Sequence, residues 1–230
     1  MRVRSTTLKP RRNSRNKISL SEKAYVLIKR MIFSGKILPR EPITELRLTA
    51  LFGMSRTPVR EALKQLRNEG ILISLGKRGY CLNVPSITET KNLYEVRILL
   101  ESGAARLAAA KIDLDRLEGF RKQFLSHQNT LNSGQEEYRN GEDYPSSDLG
   151  RAFHFFIIES TGNTKLRELI EKIYDQLAVS RIFAYNPRRK EATDEHLKLV
   201  DALMQRDAQE SHAYMEEHLR RGFEILTGIL

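Results

Sequence analysis

The chain has 230 residues, 40% of them hydrophobic and 30% charged, with a mean hydropathy of −0.47, so it has the composition of a folded globular protein and the length for one or two domains. Its longest apolar stretches are interrupted or flanked by Arg106 and Lys111, short of the roughly 20 apolar residues that span a bilayer. The lone Cys81 excludes a disulfide scaffold and a multi-cysteine zinc site, and it fits a reducing, cytoplasmic location.

The net charge of +10 is unevenly placed. Residues 1–86 carry 19 lysines and arginines against 5 acids, whereas residues 87–230 carry 20 against 24. One half is built to face a polyanion and the other is not.

Residues 1–17 hold Arg2, Arg4, Lys9, Arg11, Arg12, Arg15 and Lys17 with no acid and no apolar periodicity. They read as a flexible basic arm, with an organellar transit peptide as the alternative. From Ser21, the residues Ala24, Leu27, Ile28, Met31 and Ile32 recur at the spacing of one buried helical face, and Ser34-Gly35 ends that helix. Thr44 caps a short second helix with Leu48, Leu51 and Phe52, which Gly53 stops. Thr57-Pro58 reads as the cap and first residue of a third helix. Its Val59, Leu63 and Leu66 pack while Arg56, Arg60, Lys64 and Arg67 line another face. Ile71–Ile73 and Tyr80–Leu82 then read as strands of a hairpin whose tip is Gly76-Lys77-Arg78-Gly79. Three helices followed by a basic hairpin predict a winged helix-turn-helix over residues 18–86.

The same residues carry a family resemblance. Ile43-x-Glu45-x-x-Leu48, the run Gly53-Met54-Ser55-Arg56-Thr57-Pro58-Val59-Arg60-Glu61-Ala62-Leu63, the later Leu66 and Glu69-Gly70, and Arg78-Gly79 resemble the GntR family of bacterial transcription regulators. The expected DNA-facing set is Arg47, Ser55, Arg56, Thr57, Arg60, Lys64, Lys77 and Arg78. Arg56 and Arg60 are expected near bases and phosphates, Thr57 on the backbone, and Lys77 or Arg78 in the minor groove.

Residues 87–230 lack strand alternation and show amphipathic stretches at roughly 88–110, 114–134, 149–160, 164–185, 190–205 and 207–227. Asp113 and Thr164 stand where caps are wanted, and Tyr138 to Ser147 reads as a loop. The overall expectation is a mainly α protein, an N-terminal winged helix-turn-helix plus a C-terminal all-α bundle. No nucleophile elbow, phosphate-cradling loop or His-Glu-x-x-His motif is present, so the chain does not read as an enzyme.

All five histidines lie between positions 127 and 218. Tyr94-Glu95-Val96-Arg97 with Leu100-Glu101, Ala152-Phe153-His154 with Thr161-Gly162-Asn163, Glu195-His196 and Glu217-His218-Leu219 resemble the FadR-type ligand-binding (FCD) domain of the same family. That resemblance implies a divalent metal, zinc or nickel, held by His154, His196 and His218, and an effector met by Arg97 and Asn163. The family's aspartate one turn before the first histidine is here Gly150. Asp148 lies six residues before His154, about 600° around a helix and so turned away from it, and stands as a candidate ligand or an N-cap. The site is either three histidines completed by water or an effector carboxylate, or a metal-free polar pocket. Arg97 either grips an effector carboxylate or pairs on the helix surface with Glu101.

These readings make a homodimeric regulator that binds double-stranded DNA and answers to a small carboxylate metabolite. A metal-dependent enzyme tethered to nucleic acid and an effector-free architectural DNA binder are the alternatives.

Overall fold

Apolar residues at every fourth position set the first core. In the computed structural model, which describes residues 18–133, 145–181 and 189–226, helix α1 (Leu20–Phe33) starts where the Ser19 hydroxyl accepts from the Glu22 N–H. It buries Ala24, Ile28 and Ile32. Thr44 caps α2 (Glu45–Phe52), and Gly53 ends it in the left-handed region at φ 61°. Only Leu48 of α2 is fully buried; Leu51, expected in the core, faces solvent. Helix α3 (Arg56–Asn68) buries Pro58, Val59, Ala62, Leu63 and Leu66. Its cap is Ser55 rather than Thr57, which places Pro58 at the third helical position. Proline is tolerated there for the reason that suits it to the first position: the leading N–H groups of a helix have no partner within it.

Strands β1 (Leu72–Ser74) and β2 (Tyr80–Leu82) pair antiparallel, Leu72 with Leu82 and Ser74 with Tyr80, around a 3-10 turn at Gly76–Arg78. The hairpin is tied to the start of α2 by two bonds, Ile43 N–H to Tyr80 O at 2.7 Å and Tyr80 N–H to Ile43 O at 3.0 Å. This close approach needs Gly79: a Cβ there would lie 2.4 Å from the Ile43 carbonyl oxygen, and the residue sits at φ +97°. The basic arm expected over residues 1–17 lies outside the described residues.

The second half begins with a reciprocal capping box, Ser86 with Glu89, that opens α4 (Ile87–Ala109). Then come α5 (Leu114–Asn132), capped by Asp113 as its spacing predicts, α6 (Pro145–Ser160), α7 (Thr164–Arg181), α8 (Arg189–Met204) and α9 (Ala208–Leu226). Helix α4 packs on α6, α7, α8 and α9 and is the axis of the bundle. Phe124, Phe153, Ile157, Leu199, Leu203, Met215 and Leu219 form the main core beside it.

Two expectations are corrected. The loop read over Tyr138 to Ser147 gives way to helix from Pro145, where a proline's missing N–H costs nothing; residues 138–144 lie outside the described residues. Asn163, not Thr164, caps α7, its side-chain oxygen accepting from the Lys165 and Leu166 N–H groups at 3.1 Å each. The two halves share a seam along α7, where Val179 is fully buried in the same core as α1, α3 and the hairpin.

Candidate functional site

Among the described residues, three histidines from three helices come together inside the bundle. His154 projects from α6, His196 from α8 and His218 from α9, and their nearest ring nitrogens lie within 4.8 Å of one another. The Nε2 atoms of His154 and His196 are 3.1 Å apart. Aromatic packing sets the ring of His196: Phe124 stacks on it at 4.8 Å and Phe153 meets it edge-on at 5.7 Å. The other two histidines, His127 and His212, lie on α5 and α9 outside this group.

Two carboxylates brace the outer nitrogens. Glu101 Oε2 lies 2.5 Å from His154 Nδ1, and Glu195 Oε2 lies 2.9 Å from His218 Nδ1. An ionised carboxylate only accepts, so each Nδ1 donates and each Nε2 is left with a lone pair. Burial pushes the Glu101 carboxyl up, but the Arg97 guanidinium and His154 outweigh it and bring it down to about 2. Burial dominates at His218 and pushes its imidazole down to about 4, against the opposing effect of the hydrogen bond it donates to Glu195. With Nδ1 turned to its carboxylate, each of these two imidazoles offers Nε2 as its ligand atom.

That donor set fits a divalent ion. Two imidazole nitrogens bound to one tetrahedral zinc at about 2.0–2.1 Å stand about 3.3 Å apart, close to the separation of His154 and His196. Gly150 is part of the fit in a way that its position in the sequence does not reveal. A Cβ on Gly150 would lie 3.1 Å from His196 Cε1, so the bare glycine leaves the imidazole its place. The backbone is already helical at Asp148, which removes the N-cap reading; its side chain lies outside the described residues.

Arg97 is neither a surface residue nor a loose one. It is buried, its Nε donates to Glu101 and its Nη2 donates to the Tyr174 hydroxyl at 2.6 Å. The pairing with Glu101 expected at four-residue spacing is present, but inside the protein. Burial disfavours the guanidinium charge, and Glu101 and Tyr174 more than restore it. Asn163, expected near an effector, is an exposed cap of α7, past the end of the helix that carries His154. Sequence reasoning did not single out Glu101, Glu195 or Tyr174 as site residues. The adjacency of Glu195 and His196 was the available signal for one of them, and nothing local marks Tyr174.

The second feature is the basic face of the winged half. Ser55, Arg56, Thr57, Arg60 and Lys64 are exposed along α3, with Lys77 and Arg78 exposed in the wing turn. Two of the expected cations are held by acids of the same half. Arg60 makes a two-pronged pair with Glu45 at 2.8 and 2.9 Å, and Arg47 pairs with Glu41. Ser55 makes no side-chain capping bond.

The chain matches two family models, the one described as bacterial regulatory proteins of the gntR family over residues 20–81 and the FCD domain over residues 92–221. It is 30% identical over 200 residues to the Nta operon transcriptional regulator of Aminobacter aminovorans, covering 87% of this chain and 91% of that one. It is 26% identical over 208 residues to the HTH-type transcriptional regulator YdhC of Bacillus subtilis, covering 90% of each. The fold is similar to that of E. coli McbR/YncC, with a TM-score of 0.73 at 22% identity over 91% of this chain and 98% of that one.

Proposed function

The chain belongs to the GntR family of bacterial regulatory proteins and carries its FCD domain, so it is a DNA-binding transcription regulator rather than an enzyme; on that premise we propose that a divalent metal and a small carboxylate metabolite at the histidine cluster tune its grip on an operator. In this reading residues 1–17 form a basic arm, 18–86 read DNA and 87–230 bind ligand and pair two chains in the cytoplasm.

The convergence of His154, His196 and His218 from three helices, two of them braced by carboxylates, carries the reading. The three imidazoles would hold the ion, which when bound supplies a Lewis-acidic centre that an oxygen donor could complete. Charge balance argues for an anionic effector. Arg97 pairs with Glu101 and Arg221 with Glu195, so the carboxylates beside the cluster are already matched by cations and leave the charge of a bound divalent ion unbalanced. Buried charge must be balanced, and a carboxylate metabolite balances this one. Arg97 then acts through Glu101, orienting His154, rather than by gripping the effector itself.

On the DNA side, Arg56, Arg60 and Lys64 of α3 enter the major groove from Ser55 and Thr57 onward, Arg47 contacts phosphate, and Lys77 and Arg78 reach the minor groove. Pairing of chains is supported by a stripe on α4, where Leu99 is 73% and Leu107 55% exposed on either side of Gly103, with Val96 one turn earlier. Nothing lies within 4 Å of the place a Gly103 Cβ would take. Two such faces can meet closely across a two-fold axis. Sedimentation of Leu99→Glu should then show a monomer where the parent chain is a dimer; an unchanged dimer removes α4 from the interface.

The test of the metal reading is elemental analysis of the purified protein after exposure to zinc or nickel, beside His196→Ala and His218→Ala. About one ion per chain is expected in the parent and a large loss in both variants. Thermal-shift measurements with a series of small carboxylic acids, with and without chelator, should show stabilisation that chelator abolishes. Sub-stoichiometric metal in the parent leaves only the metal-free pocket.

A further inference from the structure

Three successive residues of α7 join the histidine cluster to the DNA-reading half. The Tyr174 hydroxyl donates to Glu101, the acid that orients His154, at 3.2 Å. The Asp175 carboxylate accepts from Lys29 of α1 at 2.5 Å. The Gln176 side chain donates to the Glu69 carbonyl, at the C-terminal cap of α3, at 2.9 Å. Gln176 also fits closely over the following Gly70, where a Cβ would stand 2.9 Å from its amide nitrogen.

Asp175 is the unusual member. It is buried, and only one of its oxygens is satisfied: Oδ2 takes the Lys29 bond, while Oδ1 has no hydrogen-bond partner among the described residues. The group facing Oδ1 is the Arg151 guanidinium, 3.8 Å away. Arg151 belongs to α6, beside Gly150 and three residues before His154, and its guanidinium lies 5.6 Å from the centre of the Tyr174 ring. One buried carboxylate thus faces one cation from the DNA-reading half and another from the helix that carries a cluster histidine. Burial pushes the Asp175 carboxyl up, and the pull of Lys29 and Arg151 does not fully reverse it, as expected of an under-satisfied group.

We propose that Asp175 is a contested anion through which the position of α6 reaches the winged helix: a small shift of α6 brings Arg151 onto Oδ1 and loosens the hold of Oδ2 on Lys29. The required movement is about 1 Å, from 3.8 Å to hydrogen-bond distance, within the range of helix shifts that accompany switching. The loosening follows from electrostatics, because two cations drawn to one carboxylate repel each other and each is held less tightly than it would be alone. Tyr174 and Gln176 keep α7 in register with both ends. This inference rests on the reading of the histidine cluster as a ligand site, since it needs an event there that moves α6.

Hydrogen exchange of the full chain, with and without zinc ion as the probe, tests it. In the parent protein zinc should slow exchange in α6 around residues 150–158 and speed it at least twofold in α1 around residues 25–33. Asp175→Asn should keep the α6 response, exchange faster in α1 from the outset and lose the α1 response. Lys29→Met should behave the same way, which covers the case that Asp175→Asn does not fold. Arg151→Gln separates a switch from a plain structural contact: α1 should stay protected, and zinc should still slow α6 without reaching α1. A parent α6 response with no α1 response, or an α1 response that survives in Arg151→Gln, overturns the contested-anion proposal and leaves the metal reading standing. No response at α6 in the parent overturns the metal reading and this proposal with it.

Discussion

Both halves of the protein place arginine against glutamate, and the two pairings do different work. Arg60 with Glu45 sits in water on the DNA-reading face, while Arg97 with Glu101 is enclosed by Tyr94, Tyr174 and His154. An exposed pair is held weakly and can be exchanged for phosphate or a base at little loss. A buried pair has already given up its hydration, so neither partner can leave without stranding the other. The first arrangement suits a surface that must trade partners, and the second suits a frame that must hold imidazoles still.

The sharpest way to break that comparison is to strand the buried arginine. Glu101→Leu should destabilise the fold by about 3–5 kcal/mol, read from urea unfolding, because the Arg97 charge loses its main counter-ion inside the bundle. Arg97→Met combined with Glu101→Leu should recover much of that loss, since two apolar side chains replace the pair. A single variant within 1 kcal/mol of the parent would mean that the pair is not desolvated as the structure has it.

On the exposed side the effect belongs to DNA and not to stability. Arg56→Ala or Arg60→Ala should weaken operator binding roughly ten- to a hundredfold at fixed salt if the lost contact is two-pronged to guanine, with unfolding unchanged. Glu45→Gln, which releases Arg60, should instead tighten binding a few-fold. Unchanged affinity in both arginine variants would remove α3 from the interface.

A further expected effect is a pH slope. His218 is held down to about 4 in the fold against about 6.5 in an unfolded chain, so between those values the unfolded state binds more protons. With chelator present, stability should therefore fall as pH drops from about 6.5 toward 4, and His218→Gln should flatten that slope. A slope equal in the two proteins would place the titration elsewhere.

The helices of both halves were legible because each has an apolar face at helical spacing and a cap within its own few residues: Ala24, Ile28 and Ile32 in α1, Thr44 before α2, Asp113 before α5. Errors fell where two neighbouring residues can serve one role. Ser55 and Thr57 both suit a cap, as do Asn163 and Thr164, and the choice depends on which hydroxyl or amide the turn geometry admits. The loop expected over Tyr138 to Ser147 gives way to helix at its last three residues for a related reason, since proline and serine open helices as readily as they fill loops.

The amino-acid sequence by itself determined the family, the order of the elements, the division of charge and the three histidines, because these are written in spacing and residue type. Only the tertiary structure decided that Arg97 faces inward to Glu101 and Tyr174, that Glu195 reaches His218 across 23 positions, and that Gly150 makes room for His196. Contacts between residues far apart in the chain depend on how helices rotate and cross when their apolar faces close on one another, and no local pattern encodes that rotation.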